Sequence, residues 1–260
     1  MTKYLGIYSQ NSVLASKLLK IMRNNIKPEI SLEIDKSKII CEQFGDISNA
    51  KIILLFCHGF PGSNRLVSLY DNLKNKSISI VEINYRGDKK SQGKFSFLGS
   101  LKDIKTVADY LKEKYKLPLY VLGYSMGGLY VSNIVNKAPH LFEKVILLNP
   151  VVDSKILFSN NLLMDELWIH AENILSLKTH ESYKEEIRKM NSCFNPMGFA
   201  EKLKTNIIII QSTNDEVLDP KLAKKFYCLL KGEKRYIEMR NKMHDLMGDE
   251  KVLVDVINQC

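Results

Sequence analysis

The segment LYVLGYSMGGLYVSN, residues 119–133, decides the fold that this sequence predicts. Residues 119–122 form a short apolar run of strand type, and from Leu129 onward apolar residues return at helical spacing. Between these two patterns, Ser125 lies between Gly123 and Gly127. This arrangement is typical of a sharp strand-to-helix turn that exposes a serine hydroxyl, with glycines that leave room for close backbone packing. The pattern is weak by itself, because a serine hydroxyl is a poor nucleophile without a base.

The composition is that of a globular protein with one large core. The chain has 260 residues, of which 45% are hydrophobic and 26% charged, and no low-complexity linker divides it. Lys17 and Lys20 interrupt the best apolar stretch near the N-terminus, so we expect neither a signal peptide nor a transmembrane segment. The five cysteines are an odd number without paired spacing, which favours free thiols and a cytoplasmic location.

The net charge of +9 raises the question of a nucleic-acid or membrane partner. The lysines lie on predicted amphipathic helices without a platform of aromatic and arginine side chains, so we expect no nucleic-acid partner. Residues 12–23 can form a basic amphipathic helix with peripheral membrane contact, although packing against the protein body is the simpler interpretation. No cluster of histidine, cysteine and carboxylate has metal-ligand spacing, and we predict no metal and no cofactor.

The order of predicted elements indicates an α/β fold with a mostly parallel eight-stranded sheet, helices on both faces and an antiparallel hairpin at its start. The predicted strands lie near residues 30–34, 39–43, 52–57, 79–83, 119–123, 144–148, 206–212 and 234–239. The predicted helices lie near residues 66–75, 101–115, 125–137, 220–230 and 249–258. Residues 151–204 form a segment that is too long for a connection between a strand and the next element, and we predict that it is a short helical cap. The expected organisation is an N-terminal extension (1–29), a core (30–150 and 205–260) and this cap insertion.

A serine that transfers acyl groups needs a base, a carboxylate that orients the base, and donors for the oxyanion. His244 follows the last predicted strand, and the loop after the preceding strand carries Asp215 and Asp219. Loops at the carboxyl ends of strands gather at one edge of an open α/β sheet, so these side chains can converge on Ser125. The other histidines lie in patterns where a structural side chain is commonplace. The spacing alone leaves open which aspartate is the partner of His244.

Four motifs in this order make the sequence similar to a known family. They are HGFPG at 58–62, GYSMGG at 123–128, QSTNDEVLD at 211–219 and MHDL at 243–246. With these motifs the chain resembles the serine hydrolases of the α/β-hydrolase fold, in particular small-lid esterases and monoacylglycerol-lipase-like members. The resemblance covers approximately residues 30–258. The chain order of serine, aspartate and histidine is the one typical of this fold.

The resemblance implies catalytic roles for three side chains. Ser125 would be the nucleophile, His244 the general base and later the general acid, and Asp215 the carboxylate that orients the imidazole. Asp219 is the less favoured acid, because it lies beside Pro220, where the next helix is expected to begin.

The resemblance also implies how the oxyanion and the acyl group are held. The backbone N–H groups of Phe60 and Met126 would be the oxyanion donors, and His58 would be a structural side chain that holds the loop presenting Phe60. A lid above the serine must face it, so we expect Met164 and Trp168 of the cap to contact the acyl group.

The expected function is hydrolysis of a carboxylic ester or thioester, with a small or medium apolar acyl group, through an acyl-enzyme intermediate. The alternatives are a peptidase of the same fold and a non-catalytic binding protein on a hydrolase scaffold. A phosphate-binding loop at GDKKSQGKF, residues 87–95, is excluded because its glycines are one residue too far apart. At Asp88-Lys89-Lys90 this segment departs from the commoner family pattern.

Overall fold

The computed structural model describes residues 27–62, 70, 73, 77–88, 90–245 and 251–258. The predicted amphipathic helix at residues 12–23 lies outside these ranges. Of the predicted helix near 66–75, only Tyr70 and Leu73 are described, and both are helical.

The described strands form one sheet of eight. They are β1 (Lys27–Ile34), β2 (Ser37–Phe44), β3 (Ile52–Cys57), β4 (Ile78–Asn84), β5 (Leu119–Tyr124), β6 (Lys144–Leu148), β7 (Ile207–Ser212) and β8 (Lys234–Met239). Their order is β1-β2-β4-β3-β5-β6-β7-β8. Strand β2 is antiparallel to both β1 and β4, and every other pair is parallel. The prediction of a mostly parallel eight-stranded sheet with an antiparallel hairpin is confirmed.

Helices follow most strands and cover the sheet. The described α-helices are α1 (Phe97–Tyr115), α2 (Met126–Lys137), α3 (Ser154–Ser159), α4 (Asn161–Ile174), α5 (His180–Cys193), α6 (Pro220–Leu229) and α7 (Lys251–Asn258). Two short 3₁₀ helices, Pro196–Gly198 and Ala200–Lys202, precede β7. Among the described helices, none is both long enough and apolar enough to cross a lipid bilayer.

The core lies on both faces of the sheet, because successive side chains of a strand point to opposite faces. On β5, Val121 belongs to the apolar layer beneath α1 and α2, whereas Leu122 belongs to the layer beneath α7. Both side chains are fully buried, as expected for a parallel sheet that is covered twice. The sheet is therefore a rigid support for the loops at the carboxyl ends of its strands.

Among the predicted helix starts that fall on described residues, two differ from the structure. Helix α1 begins at Phe97 rather than residue 101, because the Ser96 side chain accepts a hydrogen bond from the Gly99 N–H and caps the helix earlier. Helix α2 begins at Met126 rather than Ser125, because Ser125 has a φ of 53° and a ψ of −117°, outside the helical region.

The predicted cap, residues 151–204, contains the helices α3, α4 and α5. The cap backbone forms hydrogen bonds with the loop between β4 and α1. The Ser176 N–H donates to the Gly87 carbonyl (2.7 Å), and the Phe95 N–H donates to the Ser176 carbonyl (2.8 Å). The division of the chain into extension, core and cap remains a prediction.

Candidate active site

The turn at Ser125 presents its hydroxyl at the edge of the sheet. Ser125 is partly exposed, whereas every other residue from 119 to 135 is buried. Its positive φ is costly for a residue with a side chain, by about 1–3 kcal/mol, and such strain is found where the surrounding structure enforces it. Close backbone packing at Gly127 constrains the turn, because a Cβ atom there would lie 2.0 Å from the carbonyl oxygen of Cys57. Glycine at this position lets α2 pack directly against the end of β3.

The structure brings Ser125, His244 and Asp215 into one chain of hydrogen bonds. His244 Nε2 lies 3.0 Å from Ser125 Oγ, and His244 Nδ1 lies 2.8 Å from Asp215 Oδ2. An ionised carboxylate only accepts hydrogen bonds, so Nδ1 carries the proton of the neutral ring and the lone pair of Nε2 faces the serine hydroxyl. This tautomer can accept the hydroxyl proton.

Asp215 is held by hydrogen bonds to both of its carboxylate oxygens. Oδ1 accepts from the backbone N–H groups of Val217 (3.0 Å) and Leu218 (2.8 Å), and Oδ2 also accepts from Gln211 Nε2 (3.1 Å). Its side chain is fully buried. The alternative aspartate, Asp219, instead caps α6 by accepting from the Lys221 N–H (2.9 Å).

Three side chains fix the backbone of His244: Tyr124 and Glu216 lie within the quoted motifs, whereas Asn149 lies outside them. The His244 N–H donates to Glu216 Oε2 (2.9 Å), and its carbonyl accepts from Asn149 Nδ2 (2.8 Å) and from the Tyr124 hydroxyl (3.1 Å). Tyr124 ends β5 and Asn149 follows β6. These groups lie 28 to 120 positions away along the chain, so no local pattern could have predicted their contacts with His244.

The predicted oxyanion donors are the N–H groups of Phe60 and Met126. No described residue accepts a hydrogen bond from either N–H group. Met126 is the first residue of α2, where the partial positive charge of the helix N-terminus favours a negative oxygen. His58 is predicted to hold this loop, and its Nδ1 atom lies 2.8 Å from the carbonyl oxygen of Gly59.

Aromatic side chains join the Phe60 loop to the cap. The Phe60 ring centroid lies 5.2 Å from that of Trp168 on α4 and 5.2 Å from that of Phe97. Trp168 also lies 4.8 Å from Tyr183 on α5. Met164 is buried, with 6% of its surface exposed. The structure thus places Trp168 against Phe60 and within an aromatic cluster, and acyl contact by Met164 or Trp168 stays a prediction.

A cavity of about 230 Å³ lies between α3, the start of α4 and the loop that carries Asp215. Its apolar lining consists mainly of Val151, Leu157, Leu163, Val217, Leu218 and Leu222. One lining residue contacts the serine turn, since the Val151 N–H donates to the Ser125 carbonyl (2.9 Å). The residues predicted for acyl contact, Met164 and Trp168, are not among those that line this cavity.

No group of three or more histidine, cysteine, aspartate or glutamate side chains suited to a metal ion occurs in the part of the chain that the structure describes. That the reaction uses neither a metal nor a cofactor stays a prediction.

The same architecture occurs in solved hydrolase structures. Est1E from Butyrivibrio proteoclasticus has 17% sequence identity and a TM-score of 0.70, with 90% of this chain and 97% of Est1E covered. The monoacylglycerol lipase of Paleococcus ferrophilus has 16% identity and a TM-score of 0.62, with 85% of this chain and 97% of that chain covered. The fold is therefore the α/β-hydrolase fold that the motifs predicted.

Sequence comparison narrows this class to a family. The model of the Hydrolase_4 family, described as serine aminopeptidase, S33, matches residues 48–192, more than half of the chain. The chain belongs to this family of α/β-hydrolases. A second family model, described as PhoPQ-activated pathogenicity-related protein, matches residues 173–259. A monoglyceride lipase homolog of monkeypox virus is 23% identical over 219 residues, which are 72% of this chain and 79% of the viral protein.

Proposed function

We propose that this protein is a serine hydrolase that cleaves a carboxylic ester or thioester with a small or medium apolar acyl group. The observation that carries the proposal is the hydrogen-bonded chain from Ser125 Oγ through His244 to Asp215. In this mechanism His244 accepts the hydroxyl proton as Ser125 attacks the acyl carbon, and the Phe60 and Met126 N–H groups stabilise the oxyanion. His244 then protonates the leaving alcohol or thiol, and water releases the acyl group from Ser125 by the same steps.

The leucine and valine side chains of the cavity support an acyl group as the part of the substrate that is bound near Ser125. Its lining offers leucine and valine side chains, and each methylene group buried there contributes at most about 0.8 kcal/mol. The monoglyceride lipase homolog named above is consistent with ester substrates of this kind.

A peptidase that recognises a free amino group is the second candidate, because it matches the description of the family model. Such an enzyme needs an available carboxylate near the serine. The two carboxylates that line the cavity, Asp153 and Asp219, each cap a helix through hydrogen bonds to Lys155 N–H and Lys221 N–H. These hydrogen bonds use Oδ1 of each carboxylate, so they do not decide between an ester and a peptide with a charged amino terminus.

The test is steady-state hydrolysis by the wild-type protein and the Ser125→Ala variant of p-nitrophenyl esters, monoacylglycerols and amino-acid p-nitroanilides. We expect ester hydrolysis by the wild type and a loss of about 10⁴-fold or more in kcat for Ser125→Ala with an unchanged melting temperature. Preferred cleavage of the anilides would favour the peptidase. Absence of any turnover by the wild type would favour a non-catalytic binding protein.

A further inference from the structure

Asn149 is a fully buried residue between the three loops that carry the serine, the aspartate and the histidine. It follows β6 directly, and none of its surface is exposed. Its backbone has a φ of 40°, a conformation that asparagine and aspartate adopt more readily than other residues with a side chain. A buried amide must satisfy its polar atoms within the protein, so its partners indicate what it holds in place.

The peptide that joins Leu148 to Asn149 binds the nucleophile turn and the neighbouring strand. The Leu148 carbonyl accepts from the Ser125 N–H (3.0 Å), and the Asn149 N–H donates to the Ile210 carbonyl on β7 (2.9 Å). Both groups belong to one planar unit, so they are fixed together. The backbone of the serine is thus attached to the same peptide as the end of β7.

The side chain of Asn149 connects the aspartate loop to the histidine loop. Oδ1 accepts from the Ser212 N–H (2.7 Å), and Nδ2 donates to Ser212 Oγ (3.0 Å) and to the His244 carbonyl (2.8 Å). Ser212 is the last residue of β7, where the loop that carries Asp215 begins. The Ser212 N–H can only donate and the His244 carbonyl can only accept, so a side-chain amide serves both partners at once.

We propose that Asn149 is a positioning residue that holds the His244 backbone in a fixed place relative to Ser125 and Asp215. This inference rests on the proposed function. Asn149 acts through the main chain of His244 and not through its ring. The imidazole must keep its hydrogen bonds to Ser125 Oγ (3.0 Å) and Asp215 Oδ2 (2.8 Å) while it transfers a proton. A displacement of about 1 Å in such a group can cost about 10²-fold in rate.

Two further contacts hold the histidine loop, and they limit the expected loss. The Tyr124 hydroxyl donates to the same His244 carbonyl (3.1 Å) and links it to β5. The Asn214 N–H donates to the Lys242 carbonyl (3.0 Å), which joins the aspartate and histidine loops two residues before His244. Asn149 differs from both because it joins the aspartate loop to His244 itself. Its loss should therefore loosen the imidazole without releasing it, and should cost less than the loss of a triad residue.

The kinetic signature follows from the two steps in which His244 acts. The ring accepts a proton when Ser125 attacks the substrate and again when water attacks the acyl-enzyme. A displaced ring therefore slows acylation and deacylation together. Because Asn149 is proposed to contact no substrate, KM should stay constant while kcat falls. A rise in KM at constant kcat would overturn the positioning role.

The experiment measures kcat and KM for a p-nitrophenyl ester with the wild type, Asn149→Asp and Asn149→Gly. Aspartate keeps the shape and still accepts from the Ser212 N–H, but an ionised carboxylate offers no donor to the His244 carbonyl. Glycine removes the whole amide and adopts a positive φ without strain. For both variants we expect kcat to be lower by about 10²-fold at unchanged KM. Since aspartate keeps a Ser212 contact, it remains the test if the glycine variant fails to fold.

The matched control is Asn133→Asp, because Asn133 is also a buried asparagine that donates to backbone carbonyls. Its Nδ2 donates to the Leu129 carbonyl (2.9 Å) and to the Phe194 carbonyl (2.8 Å), and 3% of the residue is exposed. Both carbonyls lie outside the three loops of the triad. Asn133→Asp should lower the melting temperature as the Asn149 variants do, but it should keep the kcat of the wild type. An equal fall of kcat in the control would overturn the positioning role, since a general loss of stability would then explain it.

A second measurement does not depend on activity. The His244 Nδ1 proton, held in the hydrogen bond to Asp215, should give a downfield ¹H resonance in ¹⁵N-histidine-labelled protein, assigned by its absence from His244→Ala. The resonance should be sharp in the wild type and in Asn133→Asp, and broadened by exchange with water in both Asn149 variants. An unchanged resonance or a wild-type kcat in a folded Asn149 variant would overturn the proposal. Both results leave the proposed function intact, which fails instead if Ser125→Ala retains ester hydrolysis.

Discussion

At the scale of single residues, two aspartates four positions apart have different surroundings. Asp215 contacts the His244 ring, whereas Asp219 caps α6. We expect Asp215→Asn to lower kcat by about 10³–10⁴-fold, because the amide stabilises the wrong tautomer and no imidazolium. Asp219→Asn should be nearly neutral, since asparagine caps helices as well as aspartate does. Ester kinetics of the two purified variants measure this difference, and equal losses would move the orienting carboxylate away from Asp215.

The protonation of His244 predicts the acidic side of the pH profile. The neutral ring accepts the serine proton, and the protonated ring cannot, so kcat/KM should rise with pH on the acidic side of the profile. A flat acidic limb under conditions where chemistry limits the rate would contradict the role of His244.

At the scale of elements, the close packing of α2 on β3 depends on a missing side chain. A Cβ atom at Gly127 would overlap the Cys57 carbonyl, whereas a Cβ atom at Gly198 would meet nothing within 4 Å. We expect Gly127→Ala to lower the free energy of unfolding by about 3 kcal/mol or more, since the helix or the Ser125 turn must shift. The matched control Gly198→Ala should differ from the wild type by less than about 0.5 kcal/mol. Urea unfolding of both variants tests this, and equal stabilities would contradict the packing.

If the acyl group is bound in the cavity, the residues of α4 that line it should determine the preferred acyl-chain length. Leu163 lines the cavity, whereas its neighbour Leu162 is 81% exposed. Leu163→Trp should fill the cavity and shift the preference in kcat/KM toward shorter p-nitrophenyl esters, by up to about 0.8 kcal/mol for each methylene excluded. Leu162→Trp should leave the chain-length profile unchanged. If both variants keep the wild-type profile, the acyl group is bound elsewhere, and alanine variants of Met164 and Trp168 then test the original prediction.

At the scale of the whole molecule, the strands could be predicted because they are short apolar runs, and most of their bounds depend on local sequence. The turn at Ser125 could be predicted for the same reason, since its glycines and its flanking strand and helix are adjacent along the chain. The start of α1 at Phe97 could not be predicted, because Gly99 weakens the helical pattern there and the capping hydrogen bond of Ser96 is visible only in the structure.

The supports of the site required the fold. Asn149 and Tyr124 reach the His244 carbonyl only because β5 and β6 are neighbours in the sheet. The contact between His58 and Asp88 likewise joins the ends of β3 and β4. The motifs predicted which residues could react, and the packing of distant segments determines how each one is held.

The most direct test of this account is the site of covalent labelling by a fluorophosphonate. The intact protein should gain the mass of one label, peptide mapping should place it on Ser125, and the His244→Ala variant should label far more slowly, because the hydroxyl has lost its base. A label on a different residue, or ester hydrolysis that continues after Ser125 is fully modified, would contradict the account.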